Sequence, residues 1–138
     1  MLIEKGSSCY IVAMVPKSCR AVYYGGLPVK GSRRKGRLWI EEDVICFEVP
    51  EGKGGEKIDL RIPFSRTEKI FLTRDNYYGA DTVIFNLSFL DQDKKSYTMR
   101  FTPIAIIPRR RIALQQEWFN YLAKAVNVSG KASPLSTR

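Results

Sequence analysis

Only one stretch of this chain, Arg109 to Val126, repeats its apolar residues at helical spacing; before it they recur mainly at every second position. A period of two marks strands with one buried face, and a period near 3.6 marks a helix with one apolar stripe. The order therefore requires a β body covered by a single terminal helix. Leu114, Trp118, Tyr121, Leu122 and Ala125 form the stripe, and Glu117, Asn120 and Lys124 take the opposite side. Trp118 is the expected plug, because burying an indole removes on the order of 200 Å² from water. Asn127 and Gly130 supply stop signals, and residues 128–138 read as a flexible tail.

The strands can be followed in order. Leu38 and Ile40 alternate with Arg37, Trp39 and Glu41; after Glu41-Glu42-Asp43, Ile45, Phe47 and Val49 alternate with Val44, Cys46 and Glu48, which makes a hairpin. Pro50 to Gly55 is a loop, and Ile58, Leu60, Ile62 and Phe64 line one face of the next strand. Pro63 cannot donate to a ladder, so that strand ends there or lies at an edge, with a corner near Ser65 before Glu68 to Thr73 resumes. Arg74 to Asp81 reads as a turn between strands. Val83, Phe85, Leu87 and Phe89 then share one face, with Ile84 opposite, so this strand is expected to be covered partly on both sides. Tyr97, Met99 and Phe101 follow. Tyr10 to Val15 and Ala21 to Tyr24 are further apolar pieces that can each add a strand. The expected core contains Trp118, Leu114, Leu122, Phe47 and Phe85.

A chain of 138 residues fits one domain that buries roughly 70% of its unfolded surface. Cys9, Cys19 and Cys46 are odd in number and form no C-x-x-C pair, so neither a disulfide framework nor a cysteine zinc site is expected. The apolar run from Cys9 to Val15 is far shorter than the roughly 20 residues that span a bilayer; it is at the lower limit for a signal peptide's apolar region, and Pro16-Lys17-Ser18-Cys19-Arg20 is a poor cleavage site. A cytoplasmic location follows as an expectation. Net charge is +6 over residues 1–35, −5 over 36–93 and +8 over 94–138, so both ends are basic and the middle is acidic. Such asymmetry favours an anionic partner.

No histidine is present, so mechanisms that use imidazole as base, shuttle or metal ligand are excluded. Glu41-Glu42-Asp43 and Asp91-Gln92-Asp93 fall in turns, where acidic residues serve turn formation rather than catalysis. Gly52-Lys53-Gly54-Gly55 lacks the spacing, terminal Lys-Ser/Thr and following helix of a phosphate loop. The reading is a non-enzymatic chain with no cofactor and no metal.

Three stretches, Tyr23-Tyr24-Gly25-Gly26-Leu27-Pro28, Gly36 to Ile40 through Val44 to Phe47, and Ile62-Pro63-Phe64-Ser65, precede the helix segment Glu117-Trp118-Phe119-Asn120-Tyr121-Leu122. In order and spacing they resemble the pleckstrin-homology (PH) superfamily, particularly its GRAM-like and small prokaryotic members, over roughly residues 20–126. The resemblance implies a mainly β fold, a two-sheet sandwich or partly open barrel with the C-terminal helix as its cap. It places the domain at residues 19–127, with residues 1–18 as an extension that can add a strand.

The leading candidate site is Lys30-Gly31-Ser32-Arg33-Arg34-Lys35-Gly36-Arg37, five cations in eight residues between two expected strands. The spacing of Lys30, Lys35 and Arg37 resembles the loose basic pattern by which phosphoinositide-binding PH domains hold headgroup phosphates, and Arg33 and Arg34 add charge to the same loop. Each cation near an anionic leaflet contributes about 1 kcal/mol, so five give a dissociation constant of about 0.2 mM. Arg109, Arg110 and Arg111 form a second basic contact if the fold brings them to the same side. They oppose the positive end of the helix dipole, an arrangement that points to another use.

Docking on an anionic membrane surface is therefore the first expectation, peripheral and without a transmembrane segment. A protein adaptor using a strand edge or the groove beside the helix is the alternative. Nucleic-acid binding, with Tyr77, Tyr78 and Trp39 as stacking residues, ranks below both, because these aromatics lie outside the basic clusters.

Overall fold

The computed structural model describes residues 15–52, 54–77 and 80–126, except the side chains of Tyr77 and Ala80. Among these residues seven strands and a helix follow one another: β1 (Cys19–Gly25), β2 (Arg34–Glu41), β3 (Val44–Val49), β4 (Ile58–Pro63), β5 (Thr67–Tyr77), β6 (Ala80–Leu90), β7 (Ser96–Ile104) and α1 (Pro108–Val126). All pairings are antiparallel, and the sheet order is β4-β3-β2-β1-β7-β6-β5. β1 joins the two halves, pairing with β2 on one side and β7 on the other. The expected two-sheet sandwich is thus one hydrogen-bonded sheet folded over itself.

Core geometry shows the folding. β3 and β7 are three strands apart, about 14 Å in a flat sheet. Yet the rings of Phe47 on β3 and Phe101 on β7 lie 6.1 Å apart, and Tyr23 on β1 lies 6.3 Å from Phe47. Only a strongly curved sheet brings these rings together. The barrel stays open because β4 and β5 do not pair; a 3-10 turn, Phe64–Arg66, links these two edges.

Helix α1 covers that opening, packing on β7, β5 and the 3-10 turn. Phe119 meets Phe85 edge-on at 6.0 Å, and Tyr121 meets Phe64 at 6.1 Å. Trp118 and Leu122 are completely buried, as are Phe47 and Phe85, while Leu114 packs at the margin of the core. The helix begins one residue earlier than its periodicity implied, with Pro108 in the first turn, where its fixed φ and missing N–H cost nothing.

The strand assignments hold with three differences. β2 begins at Arg34, so the second half of the basic run expected as a loop is strand. β4 ends at Pro63 and also forms an edge, but Phe64 belongs to the corner beyond it rather than to the strand face. The segment 74–81 is not a turn: β5 runs through Tyr77 and β6 starts at Ala80. Its polar residues pair across the ladder, with Arg74 opposite Val83 and Asn76 opposite Asp81, and an Arg74–Asp81 salt bridge of 2.6 Å joins the two strands. Cross-strand pairing sustains a two-stranded ribbon even where the apolar alternation has stopped. Both faces of β6 are buried from Ile84 to Phe89, where Ile84 implied cover on both faces over part of the strand. The extra strand expected over Tyr10 to Val15, and the tail after residue 127, lie outside the described residues.

Candidate anionic-ligand site

Strand parity divides the basic run Lys30 to Arg37. Register pairs Tyr23 with Arg34, Ala21 with Gly36 and Cys19 with Leu38, and these positions look into the body. Lys35 and Arg37 take the alternate positions and stand outward, exposed. Arg34 was expected to contact ligand, but its side chain is 7% exposed and occupied elsewhere. Its Nη2 donates to the carbonyls of Pro50 at 3.0 Å and Gly55 at 3.1 Å, and Nη1 reaches the Lys30 carbonyl at 3.5 Å. Arg34 is the clasp between the β1–β2 and β3–β4 loops. Gly31 permits their approach: its φ is +97°, and a Cβ there would collide with the Gly54 carbonyl oxygen.

The β1–β2 loop carries Lys30 and Arg33, both exposed, with Arg33 at a φ of 55°. Below it, on the outer face, an open groove of about 730 Å³ is lined by Arg20, Lys35, Gly36, Arg37, Glu48, Val49, Pro50 and Lys57. Four cations from β1, β2 and the approach to β4 thus surround a single carboxylate. Among the described residues none of the four has a carboxylate within salt-bridge distance. Arg37 donates to Ser18 Oγ at 3.3 Å and lies 5.8 Å from the Trp39 ring centroid. Both contacts fix its guanidinium without neutralising it.

Sequence reasoning missed Arg20 and Lys57. Arg20 is separated from the basic run by the rest of β1 and the start of the following loop, yet it sits directly across from Arg37 in the ladder. The register of the β1–β2 hairpin was the signal that would have exposed it, since Ala21 and Tyr23 point inward and Arg20 must point out.

Arg109, Arg110 and Arg111 do not join the loop. They follow β7, whose last residue Ile104 pairs with Arg20 at the start of β1, whereas Lys30 and Arg33 follow the end of β1. Five residues of strand, about 17 Å, separate the two places. Lys35, Arg37 and Arg20 are outward cations on the strands between these two places. Arg111 is committed to the corner, with Nε and Nη2 donating to the Ala105 carbonyl at 3.1 and 3.0 Å.

The remaining candidates are occupied structurally. Trp39 carries Arg37 and Arg61 against its ring, at 5.8 and 5.1 Å, and its N–H donates to Glu41 at 3.2 Å, leaving little of it for base stacking. Tyr78 and the Tyr77 side chain lie outside the described residues. Glu42 and Asp43, with φ of 52° and 63°, form the two-residue β2–β3 turn, and Asp91 Oδ1 accepts the backbone N–H groups of Asp93 and Lys95. No cluster of three metal-binding side chains occurs among the described residues.

Burial pushes the Cys19 thiol up to about 12, despite a small opposing effect from the Trp118 indole, and it pushes Cys46 up as well. Neither is a reactive thiolate at neutral pH. Trp118 Nε1 faces Cys19 without hydrogen-bond geometry and is the one buried side-chain nitrogen or oxygen without a partner among the described residues. It sits in the core, away from the basic face.

No helix among the described residues is long and apolar enough to cross a membrane. Neither a protein-family model nor a curated protein matches the chain.

Proposed function

We propose that this chain is a non-enzymatic binding module of the PH superfamily, GRAM-like in kind, that docks on anionic surfaces, namely phospholipid headgroups, peripherally and from the cytoplasm. One observation carries the reading: Arg20, Lys35, Arg37 and Lys57 converge from separate segments on one groove that holds a single carboxylate. Holding like charges together is unfavourable unless an anion completes the arrangement, and the field of such a groove draws one in. Lys30 at the loop extends the positive field beyond the groove. Binding by such a site is electrostatic and therefore weakens with salt.

Sedimentation with vesicles of phosphatidylcholine, with and without phosphatidylserine, at rising salt tests this. Only the anionic vesicles should carry the protein down, and the Lys35→Glu/Lys57→Glu variant should stay in solution. Unchanged binding by that variant rejects the groove. A second reading, a protein adaptor, draws on β4 and β5, which are edge strands among the described residues and where Phe71 and Leu72 are exposed. Capture of a protein partner that resists salt and is lost on Phe71→Lys would favour it.

A further inference from the structure

The β7–α1 corner displays the most exposed apolar side chains among the described residues: Ile106 is 93% exposed, Ile112 66% and Ile107 48%. Burying none of them gains nothing for the fold, since exposed isoleucine forfeits the transfer energy that drives folding. The backbone beneath them is nonetheless pinned. Arg111 clasps the Ala105 carbonyl through two nitrogens, its N–H bonds Ile107 at 3.0 Å, and Gln115 Nε2 holds the Pro103 carbonyl at 3.0 Å. These isoleucines are held out on a fixed support.

Charge at the corner has one sign. Residues 94–116 contain no aspartate or glutamate, and Arg109 and Arg110 are exposed beside the isoleucines. No acidic residue occupies the first helical turn, where one would be favoured by the dipole. Ile106 lies two residues beyond Ile104, which pairs with Arg20, and Arg20 pairs with Arg37. The apolar corner therefore follows directly on the strand end that lies beside Arg20 and Arg37.

Apolar side chains flanked by arginine are the composition of segments that lie in the membrane interface, where the apolar part enters the acyl boundary and the cations meet phosphate. We propose that the β7–α1 corner is a membrane wedge: Ile106, Ile107 and Ile112 insert into an anionic leaflet, and Arg109 and Arg110 bind its phosphates. The proposal rests on the reading that the adjoining groove docks on phospholipid, and it adds the apolar half that electrostatics alone does not supply. Fully burying one such side chain strengthens binding about tenfold or more.

The test uses the full chain and the same two vesicle types. With Ile106→Trp, and the wild type as reference for Trp39 and Trp118, anionic vesicles should shift the added emission to the blue, and brominated acyl chains should quench it. Ile106→Ser/Ile107→Ser, both at exposed positions, should weaken binding to anionic vesicles by about a hundredfold, leaving a remainder that salt abolishes. Binding without quenching, or unchanged affinity in the double serine variant, overturns the wedge while leaving the groove reading intact. Quenching that survives Lys35→Glu/Lys57→Glu with undiminished affinity overturns the groove and keeps the wedge. Absence of vesicle binding overturns both. A dimer in solution that the double serine variant disperses, with no vesicle quenching, assigns the corner to a second copy and also overturns the proposal.

Discussion

On the β5–β7 side of the sheet the arginines meet carboxylates, Arg74 with Asp81 at 2.6 Å and Arg100 with Asp75. On β1 and β2, Arg20, Lys35 and Arg37 stand outward with no carboxylate within salt-bridge distance among the described residues. The same sheet thus neutralises Arg74 and Arg100, and on the β4 edge Arg61 with Glu48 and Asp59, but leaves the outward cations of β1 and β2 to repel one another. Paired surface charges contribute little to either stability or attraction, whereas an unpaired row generates a field. Within β2 the contrast narrows to neighbours: Arg34 is sealed against backbone carbonyls and Lys35 is displayed.

The comparison assumes that both halves are one cooperative body, and Trp118 tests that most severely. It is fully buried in a core that draws on every strand, so Trp118→Ala should cost about 3–5 kcal/mol. Denaturant unfolding followed by far-ultraviolet circular dichroism should show one transition at a much lower midpoint. Two separate transitions would mean that the halves are independent and that their charge patterns have no common frame.

Next in size is Arg34. Removing its guanidinium leaves two loop carbonyls without their donor and unties the β1–β2 loop from the β3–β4 loop. Arg34→Ala should lower stability by about 2 kcal/mol, as expected for charge-assisted hydrogen bonds at a part-buried site. Lys35→Ala should stay within about 0.5 kcal/mol of wild type, as exposed substitutions do. Equal losses from the two variants would erase the distinction between clasp and displayed cation.

Cys19 and Arg20 repeat the contrast on β1, one turned to the core and the other to solvent. Burial raises the Cys19 thiol from 9.0 to about 12, so above pH 9.0 the unfolded chain loses a proton that the folded chain keeps. Stability from this group is complete below pH 9.0 and falls as pH climbs towards 12, by up to about 1.4 kcal/mol per pH unit. Tyr23, Cys46 and Tyr121 are raised in the same direction by burial and add to the alkaline loss. Cys19→Ala should therefore flatten, without abolishing, the alkaline limb of stability against pH. An identical slope in variant and wild type would show that the thiol is not sealed.

Much of the fold was legible because strand parity and helix periodicity are local. Leu38, Ile45, Phe47, Phe85 and Trp118 are all buried where alternation or the helical stripe put them. The candidate site was less legible, because a basic run read as a loop ignores the parity that continues into it. Arg34 shares the parity of Gly36 and Leu38, and once Leu38 is inward Arg34 must be inward too. Arg20 required the β1–β2 register, and Lys57 required knowing that the approach to β4 lines the same groove as β2. Both are tertiary facts. The polar ribbon at 74–81 was misread because its strands are held by cross-strand pairs, which leave no periodic trace.

The groove cations come next, at about 1 kcal/mol of leaflet attraction each. Lys35→Ala and Lys57→Ala should each weaken binding to phosphatidylserine vesicles several-fold, roughly additively, while denaturation midpoints stay unchanged. Losses far larger than this would mean that a specific headgroup is gripped at short range.

The smallest effect is expected from the paired side of the sheet. Arg74 and Asp81 are 68% and 63% exposed, so water screens their 2.6 Å contact and competes for both groups. Arg74→Ala should change stability by less than about 0.5 kcal/mol, because the ladder from Thr67 to Tyr77 is held by backbone pairing and not by this bridge. It should also leave vesicle binding unaltered, although it removes the same formal charge as Lys35→Ala. That pairing of variants makes the comparison sharp: net charge is equal in both, and only position differs. If Arg74→Ala weakened binding as much as Lys35→Ala, the attraction would belong to the overall charge of +9 and not to the groove.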